Sequence, residues 1–595
     1  MNICYNKIMK TANFAPILML SSMFFLMIFS SVGDSATFDE VAHIPAGFSY
    51  LTQKDGRLNP EHPPLIKEFT ALPLFFLNLN SDFVKQNFWT LKNVNDRQWA
   101  AGNYFLYEAG NDPDKILFWS RLPIIILTII FGFITFWWTK KNYGLNPALL
   151  TLFLYALSPT FLAHGRFVTT DLGAALAFFL STIFFIWFLD KNDKKSAIYF
   201  GVVFGFSLLV KFSLIILLPF FLILLICPPA LAMLKALRAG KLFKNWKPAR
   251  PAGGLKIENL IFASLIALTV IYIFYIPLTW NYSIEQNLAD AHYTLGTYKT
   301  AKFAPQFAFT LISNKWTQPL GQYLHGFLMV AHRTAGGNNA YFWGEISSKG
   351  WVSYFPTLFL TKEQIGLIIL ILLSIIIVLK NKSKFKDPKT LIFLAFIAYY
   401  WAWSLWSPLN IGIRHILPTL PFIYILISKP IIVWLNVNRI KKLFVSVVFA
   451  WMALEISFVF PYFVSYFNAF AGGYKNGYKI ATDSNYDWGQ DLKRLKIWMQ
   501  KNNVEEIYLD YFGGGSPKYY LGSSFKPWYS AKGFLPIPSP IENRRIYFAV
   551  SINILSGVQA KPVGDLLIKP EDSYAWLKDK KPIARAGSSI FIFQF

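Results

Sequence analysis

Residues 116–141 read ILFWSRLPIIILTIIFGFITFWWTKK. The stretch 116–138 is almost wholly apolar, and it stops at Lys140 and Lys141. About 20 mostly apolar residues suffice for a helix to cross the hydrocarbon core of a bilayer. The stretch therefore reads as a membrane-spanning helix that runs into a basic, water-facing loop.

Ten more runs of this kind lie on either side of it: 14–32, 147–163, 173–189, 197–210, 214–234, 257–277, 359–379, 391–406, 413–434 and 443–463. Composition agrees. Only 15% of the 595 residues are charged, against about 25% in a soluble domain. Together with a mean hydropathy of +0.38, this points to an α-helical polytopic membrane protein of about eleven spans. The net charge of +25 could suggest a nucleic-acid partner, but the basic residues gather at the ends of apolar runs, so none is expected. Cys4 and Cys227 are the two cysteines, too few for a disulfide framework. No A-x-A cleavage site follows 14–32, which reads as a retained span and not a signal peptide.

Lysines and arginines occupy alternate loops: Lys7 and Lys10; Lys140 and Lys141; Lys191, Lys194 and Lys195; the 235–250 loop; Lys380 to Lys389; and Arg439, Lys441 and Lys442. The positive-inside rule makes that side cytoplasmic. A plasma-membrane protein with a cytoplasmic N-terminus is expected. Segment 37–69, the 164–171 turn, the 278–356 loop and the chain after Tyr466 then face outward. The expected division is a membrane domain, 1–466, and an extracytoplasmic α/β domain, 467–595.

The outward segments carry the chemistry. TFDEVAHIPAGFSYLTQKDGRLNPEHPPLIKEF, residues 37–69, places Asp39 and Glu40 just past the first span, and Asp171 opens the span at 173–189. Ionised groups at that depth are costly unless they face a polar cavity. Two carboxylates from different spans can share one cavity, one serving as general base to a hydroxyl. The other can orient that hydroxyl or hold a divalent cation through hard oxygen ligands; Asp39, Glu61 and Asp171 are the possible ligands. Asp55, Glu68 and Glu108 read as ordinary wet loop charges. NPEHPPLIKEF starts an amphipathic surface helix at Pro63 and Pro64, with Leu65, Phe69, Leu72 and Phe76 on one stripe. Glu61 and His62 stand at its head, where a phosphate can be held.

These motifs, DE, EHPPLIK and RFVTTD in that order, resemble those of lipid-carrier-dependent glycosyltransferases of the GT-C fold, family 39. That group contains the protein O-mannosyltransferases and aminoarabinose transferases. NIGIRHILPTLPF and NYDWGQDLKRLKIWM are similar to segments of bacterial members. The resemblance covers roughly the first three-quarters of the chain. It departs from the mannosyltransferase HPPLGK at Ile66, and it lacks an MIR-type insertion in the outer loop.

The resemblance implies a sugar donor on polyprenyl phosphate, Asp39 as catalytic base with Glu40 beside it, and inversion at the anomeric carbon. Mannose or a related sugar would pass to a protein, glycan or lipid acceptor. His62, Lys67, Lys211, Arg414 and His415 would hold the donor phosphate. Glu345, in the long outer loop, would belong to a lid over the donor. Trp351 and Tyr354 read as interface aromatics. The competing class is a transporter or flippase for lipid-linked sugars, but no internal repeat supports it.

After Tyr466 the chain turns polar. Leu492, Leu495 and Met499 share a helical stripe, and EEIYLDYFG, RRIYFAVSI and SSIFIFQF alternate as short strands. DSNYDWG, residues 483–489, spaces Asp483, Asn485 and Asp487 like a calcium loop, but its Gly falls one place late and Arg494 stands where the loop-closing Glu belongs. It reads instead as a loop capping the next helix.

Overall fold

A computed structural model describes residues 2–226, 256–296, 303–381, 387–435, 438–529, 545–564 and 566–595, with side chains from Phe14 onward. Cys227, the side chain of Cys4, the basic loop 235–250 and Lys382, Lys384 and Lys386 lie outside the described residues.

The fold is an α-helical, multi-pass membrane protein with small C-terminal sheets. By length and composition, six described helices can cross a membrane: Phe14–Val32, Pro113–Tyr143, Thr170–Lys191, Ile257–Tyr275, Ile413–Leu435 and Arg439–Val459. A bent pair, Tyr354–Lys362 with Ile365–Lys380, turns through 108° and adds a seventh if it counts as one span. The other expected runs form shorter helices or are only partly described. The 147–163 run is divided into Leu145–Ala156 and Pro159–His164. Pro159 has no N–H to donate, and the Ser158 hydroxyl accepts from Phe161 N as a new N-cap.

Local signals set the helix ends. Asp112 accepts from Asp114 N and Lys115 N ahead of Pro113, and the helix stops at Gly144, whose φ is +92°. The helix of the opening quotation therefore carries Lys140 and Lys141 in its last turn, where the helix dipole favours cations.

Hydrogen bonds join the basic helix ends in pairs. Tyr143 Oη donates to Asp387 Oδ2 at 2.6 Å, Lys389 Nζ donates to Asn142 Oδ1, and Asn259 Nδ2 donates to Asn192 O at 3.0 Å. Asp171 begins the helix that ends at Lys191. At 1.5 Å per residue the two are about 30 Å apart, which is the thickness of the hydrocarbon core.

The segment after the first span differs from the expected wet loop. Helix Phe38–Gln53 is buried from Glu40 to Tyr50. Asp55 is buried too, and its carboxylate takes two hydrogen bonds from the Arg57 side chain, at 3.0 and 2.6 Å. The expected surface helix is short, Leu65–Ala71, and continues as a 3-10 turn, Leu72–Phe76. Its buried positions are Ile66, Lys67, Thr70, Ala71 and Leu74, while Leu72, Phe75 and Phe76 are exposed. Of the expected stripe, Leu72 and Phe76 face outward from the protein, as lipid contact requires, while Leu65 and Phe69 are half-buried.

Among the described residues, eight strands form two sheets: β1 Ala340–Phe342, β2 Glu345–Ser347, β3 Ile507–Asp510, β4 Phe525–Pro527, β5 Tyr547–Ser551, β6 Lys561–Pro562, β7 Ala584–Ala586 and β8 Ile590–Gln594. The larger sheet has the order β4-β3-β5-β8-β7. The three alternating segments supply β3, β5 and β8. Helix Leu492–Lys501 packs Leu492, Leu495 and Met499 against Ile507, Leu509 and Ile592.

In the smaller sheet, β1-β2-β6, a hairpin of the long outer loop pairs with a strand of the C-terminal region. A second core likewise joins Phe342, Tyr354, Phe355 and Ile413 to Tyr486, Phe548 and Phe591, across position 466. Tyr354 is 1% exposed within it and accepts from Asn485 Nδ2. It is a core residue, not an interface aromatic.

Candidate active site

Four elements end at one cavity of about 900 Å³. Asp39 lies in the first turn of Phe38–Gln53, and Asp171 in the first turn of Thr170–Lys191. Lys211 precedes the 3-10 turn Phe212–Ile216, and Arg414 and His415 lie in the 3-10 turn Ile413–Thr419. All five line the cavity, with Glu61 and His62.

Arg414 joins the two acids. Its Nη1 donates to Asp39 Oδ2 at 2.7 Å and to Asp171 Oδ2 at 3.2 Å. Lys211 Nζ donates to Asp171 Oδ1 at 2.7 Å. Two carboxylates and two cations therefore form one chain of ion pairs. The Asp39 side chain is 24% exposed, against 3% for Asp171, so Asp39 is the more open acid. Burial works against its charge, but Arg414 and His43 outweigh that and hold its carboxyl below the ordinary range.

His43 and His62 meet edge to face, with ring centroids 5.1 Å apart, and His43 Nδ1 contacts Val168 O at 3.0 Å. Burial, then the nearby His43, Lys211 and Lys67 charges, push His62 well below its usual value. Neutral at pH 7, it can offer a phosphate a hydrogen bond but no charge. Glu61 is held at the rim by Arg333 Nη1 at 2.9 Å.

Three expected site residues sit elsewhere. Glu40 is fully buried and does not line the cavity. Its carboxylate accepts from Arg121 Nε at 2.8 Å and Nη2 at 2.7 Å, from Thr37 N at 2.9 Å and from Val168 N at 3.1 Å. It is the brace that fixes the helix start carrying Asp39. Lys67 is also fully buried; its ammonium donates to Tyr50 Oη, to Asn59 O and Oδ1, and to His62 O, at 2.7 to 3.1 Å. Those acceptors satisfy it and shape the segment ahead of the surface helix. Glu345 lies on β2, outside the cavity lining.

Among the described residues no group of three or more His, Cys, Asp or Glu side chains could hold a metal ion. An Arg414 nitrogen bridges Asp39 and Asp171, two of the possible ligands, and Arg333 holds the third, Glu61.

Some contributors were not singled out in the sequence. Arg121 sits inside the opening quotation, and an ionisable group within a span was itself a signal. Arg333, Asn59, Gln98 and Trp99 also border the cavity, and nothing in their local sequence marks them.

Much of the remaining lining is apolar: Phe212, Ile215, Ile216, Pro219, Phe327, Val330, Tyr400, Trp403 and Trp406. Trp403 is 54% exposed and Trp406 83%, so this lining reaches the outside of the helix bundle. The site thus combines ionic groups, suited to a phosphate and a hydroxyl, with an apolar lining suited to a chain.

A sequence model of the family described as dolichyl-phosphate-mannose-protein mannosyltransferase matches residues 115–245. That stretch contains Arg121, Asp171 and Lys211, and it supports the GT-C glycosyltransferase resemblance read from the motifs. No curated protein matches the chain. Among solved structures, the chain is similar to ArnT from Cupriavidus metallidurans bound to undecaprenyl phosphate, at 11% identity and a TM-score of 0.41, with 97% of each chain covered. For ArnT from the same organism in the apo state the identity is 10% and the TM-score 0.28, again with 97% of each chain covered.

Proposed function

We propose that this protein is a membrane glycosyltransferase that moves a sugar from a polyprenyl-phosphate donor to an acceptor hydroxyl on the outer face of the membrane. The observation that carries the reading is the Asp39–Arg414–Asp171–Lys211 chain in the lining of a largely apolar cavity. A flippase has no use for a carboxylate poised beside a phosphate site, whereas a transferase needs both. The family match over residues 115–245 supports the same reading.

The residues divide the work. Arg414 and Lys211 hold the donor phosphate; the guanidinium can grip it with two parallel hydrogen bonds. Drawing Arg414 toward the phosphate loosens its hold on Asp39. Asp39 then accepts the proton of the acceptor hydroxyl. That oxygen forms a bond to the anomeric carbon from the face opposite the phosphate, and the bond from that carbon to the phosphate oxygen breaks. Polyprenyl phosphate leaves with the electron pair, Asp39 keeps the proton, and the anomeric centre is inverted. No acid is needed, because the phosphate leaves as a stabilised anion. Mannose or a related sugar is the substrate class, with a protein, glycan or lipid acceptor.

The test is purified protein in detergent with a panel of polyprenyl-phosphate sugars, products being followed by mass spectrometry. Transfer, or hydrolysis with water as acceptor, is expected for at least one donor. Protein that moves such lipids between the leaflets of vesicles while leaving every sugar-phosphate bond intact is a flippase, and the proposal falls.

A further inference from the structure

We infer that the loop 482–491 of the C-terminal region is a positioning element of the site, and that Trp488 is the residue through which it holds Arg414. The inference rests on the function proposed above. It gives the DSNYDWG motif a role, where the sequence suggested only a helix cap. Asp491, the N-cap of helix Leu492–Lys501, makes no side-chain capping bond.

The loop touches both halves of the ionic chain at the residue just before each. Phe38 N, next to Asp39, donates to Trp488 O at 3.1 Å. Ile413 N, next to Arg414, donates to Asn485 Oδ1 at 2.9 Å. Ser484 Oγ donates to Ile411 O at 2.5 Å, and Lys362 Nζ anchors the loop through Asn485 O at 2.6 Å. Asp39 and Arg414 are 375 residues apart in sequence, and this one loop sets their backbones against each other.

Trp488 supplies the side-chain contact. The Arg414 guanidinium lies 4.3 Å from the centre of the indole ring. Trp488 is 1% exposed and does not line the cavity. Phe167 and His164 stand at 5.9 and 5.7 Å and keep the indole in place. The ion pairs of Arg414 to Asp39 and Asp171 both use Nη1, and its buried Nε has no hydrogen-bond partner among the described residues. Two ion pairs on one nitrogen leave the guanidinium free to swing about that nitrogen. An aromatic face attracts the cation and confines it to one plane. The indole therefore aims the guanidinium into the cavity at the depth where a phosphate arrives.

The test compares Trp488→Phe, which keeps an aromatic face, with Trp488→Met, which fills similar space without one. Binding of undecaprenyl phosphate to the full-length protein in detergent is measured beside thermal stability. The Phe variant should bind within a few-fold of wild type, and the Met variant about tenfold more weakly at comparable stability. Equal binding by both variants and wild type would overturn the inference. Equal loss in both, in step with lost stability, would make Trp488 a packing residue and overturn it as well. If the Met variant does not fold, Asn485→Ala takes its place. It frees Ile413 N and should weaken binding by about tenfold, and unchanged affinity there would also overturn the inference. Wild-type protein that binds no undecaprenyl phosphate would remove the proposed function itself, an outcome separate from all of these.

Discussion

Asp39 and Glu40 are neighbours in sequence with opposite surroundings, and two substitutions separate their roles. Asp39→Asn should lower transfer by about 10²–10⁴-fold, the usual cost of losing a general base, and leave thermal stability near wild type. Near-wild-type turnover would remove Asp39 as the base. Glu40→Ala should act through stability instead. It leaves Arg121 buried opposite an empty site, and breaking a buried pair from one side costs about 3–5 kcal/mol. A Glu40→Ala protein as resistant to heat as wild type would contradict the brace. Arg414→Ala and Lys211→Ala should each weaken undecaprenyl phosphate binding, since each removes one cation from the cavity. Unchanged affinity in both would move the phosphate site elsewhere.

The loop 482–491 also carries a titration that the fold imposes. Asp487 is fully buried; its carboxylate accepts from Asn553 N at 3.0 Å and Gly489 N at 3.2 Å. Burial raises its pKa from 3.8 to about 7. Between those values the folded protein keeps a proton that the unfolded chain releases. The stabilising contribution is complete below the unfolded pKa and is lost as pH rises through the folded one. Asp487→Asn removes this titration. Thermal stability of the variant should fall less than that of wild type between about pH 4 and pH 7, with the difference levelling off above. Parallel stability curves would show that Asp487 ionises in the fold as it does in the open chain.

At the scale of the whole molecule, the cavity residue Asp171 and the basic Lys191 lie at opposite ends of one described helix, and the positive-inside rule assigns a basic end to the cytoplasm. In a background without Cys4 and Cys227, a cysteine at Lys518 should react with a membrane-impermeant thiol reagent in intact cells, and one at Lys195 should not. Both positions are exposed. The reverse pattern would put the cavity on the cytoplasmic side, where soluble nucleotide sugars are available, and remove the reason for a lipid-linked donor.

The helical membrane class, the basic character of the loops and the candidates Asp39, Asp171, Lys211 and Arg414 were legible because each is a local property. A span is a run of apolar residues, a loop's charge is a count, and an ionisable group at a span's edge stands out against what surrounds it. The partners were not legible. Nothing near Glu40 in sequence says that Arg121, 81 residues on, takes both its oxygens, and nothing near Lys67 shows its ammonium closed off by Asn59 and His62. A lysine or glutamate reads the same whether it meets a ligand or a buried carbonyl. Likewise DSNYDWG could be read only against its own neighbours, whereas its bonds run to Phe38, Ile411 and Ile413. Local composition is enough to place a chain in the membrane, because the bilayer acts on each segment separately. The site was decided by tertiary packing, because a charge buried in low dielectric takes its role from the one group that lies against it, and folding alone brings that group there.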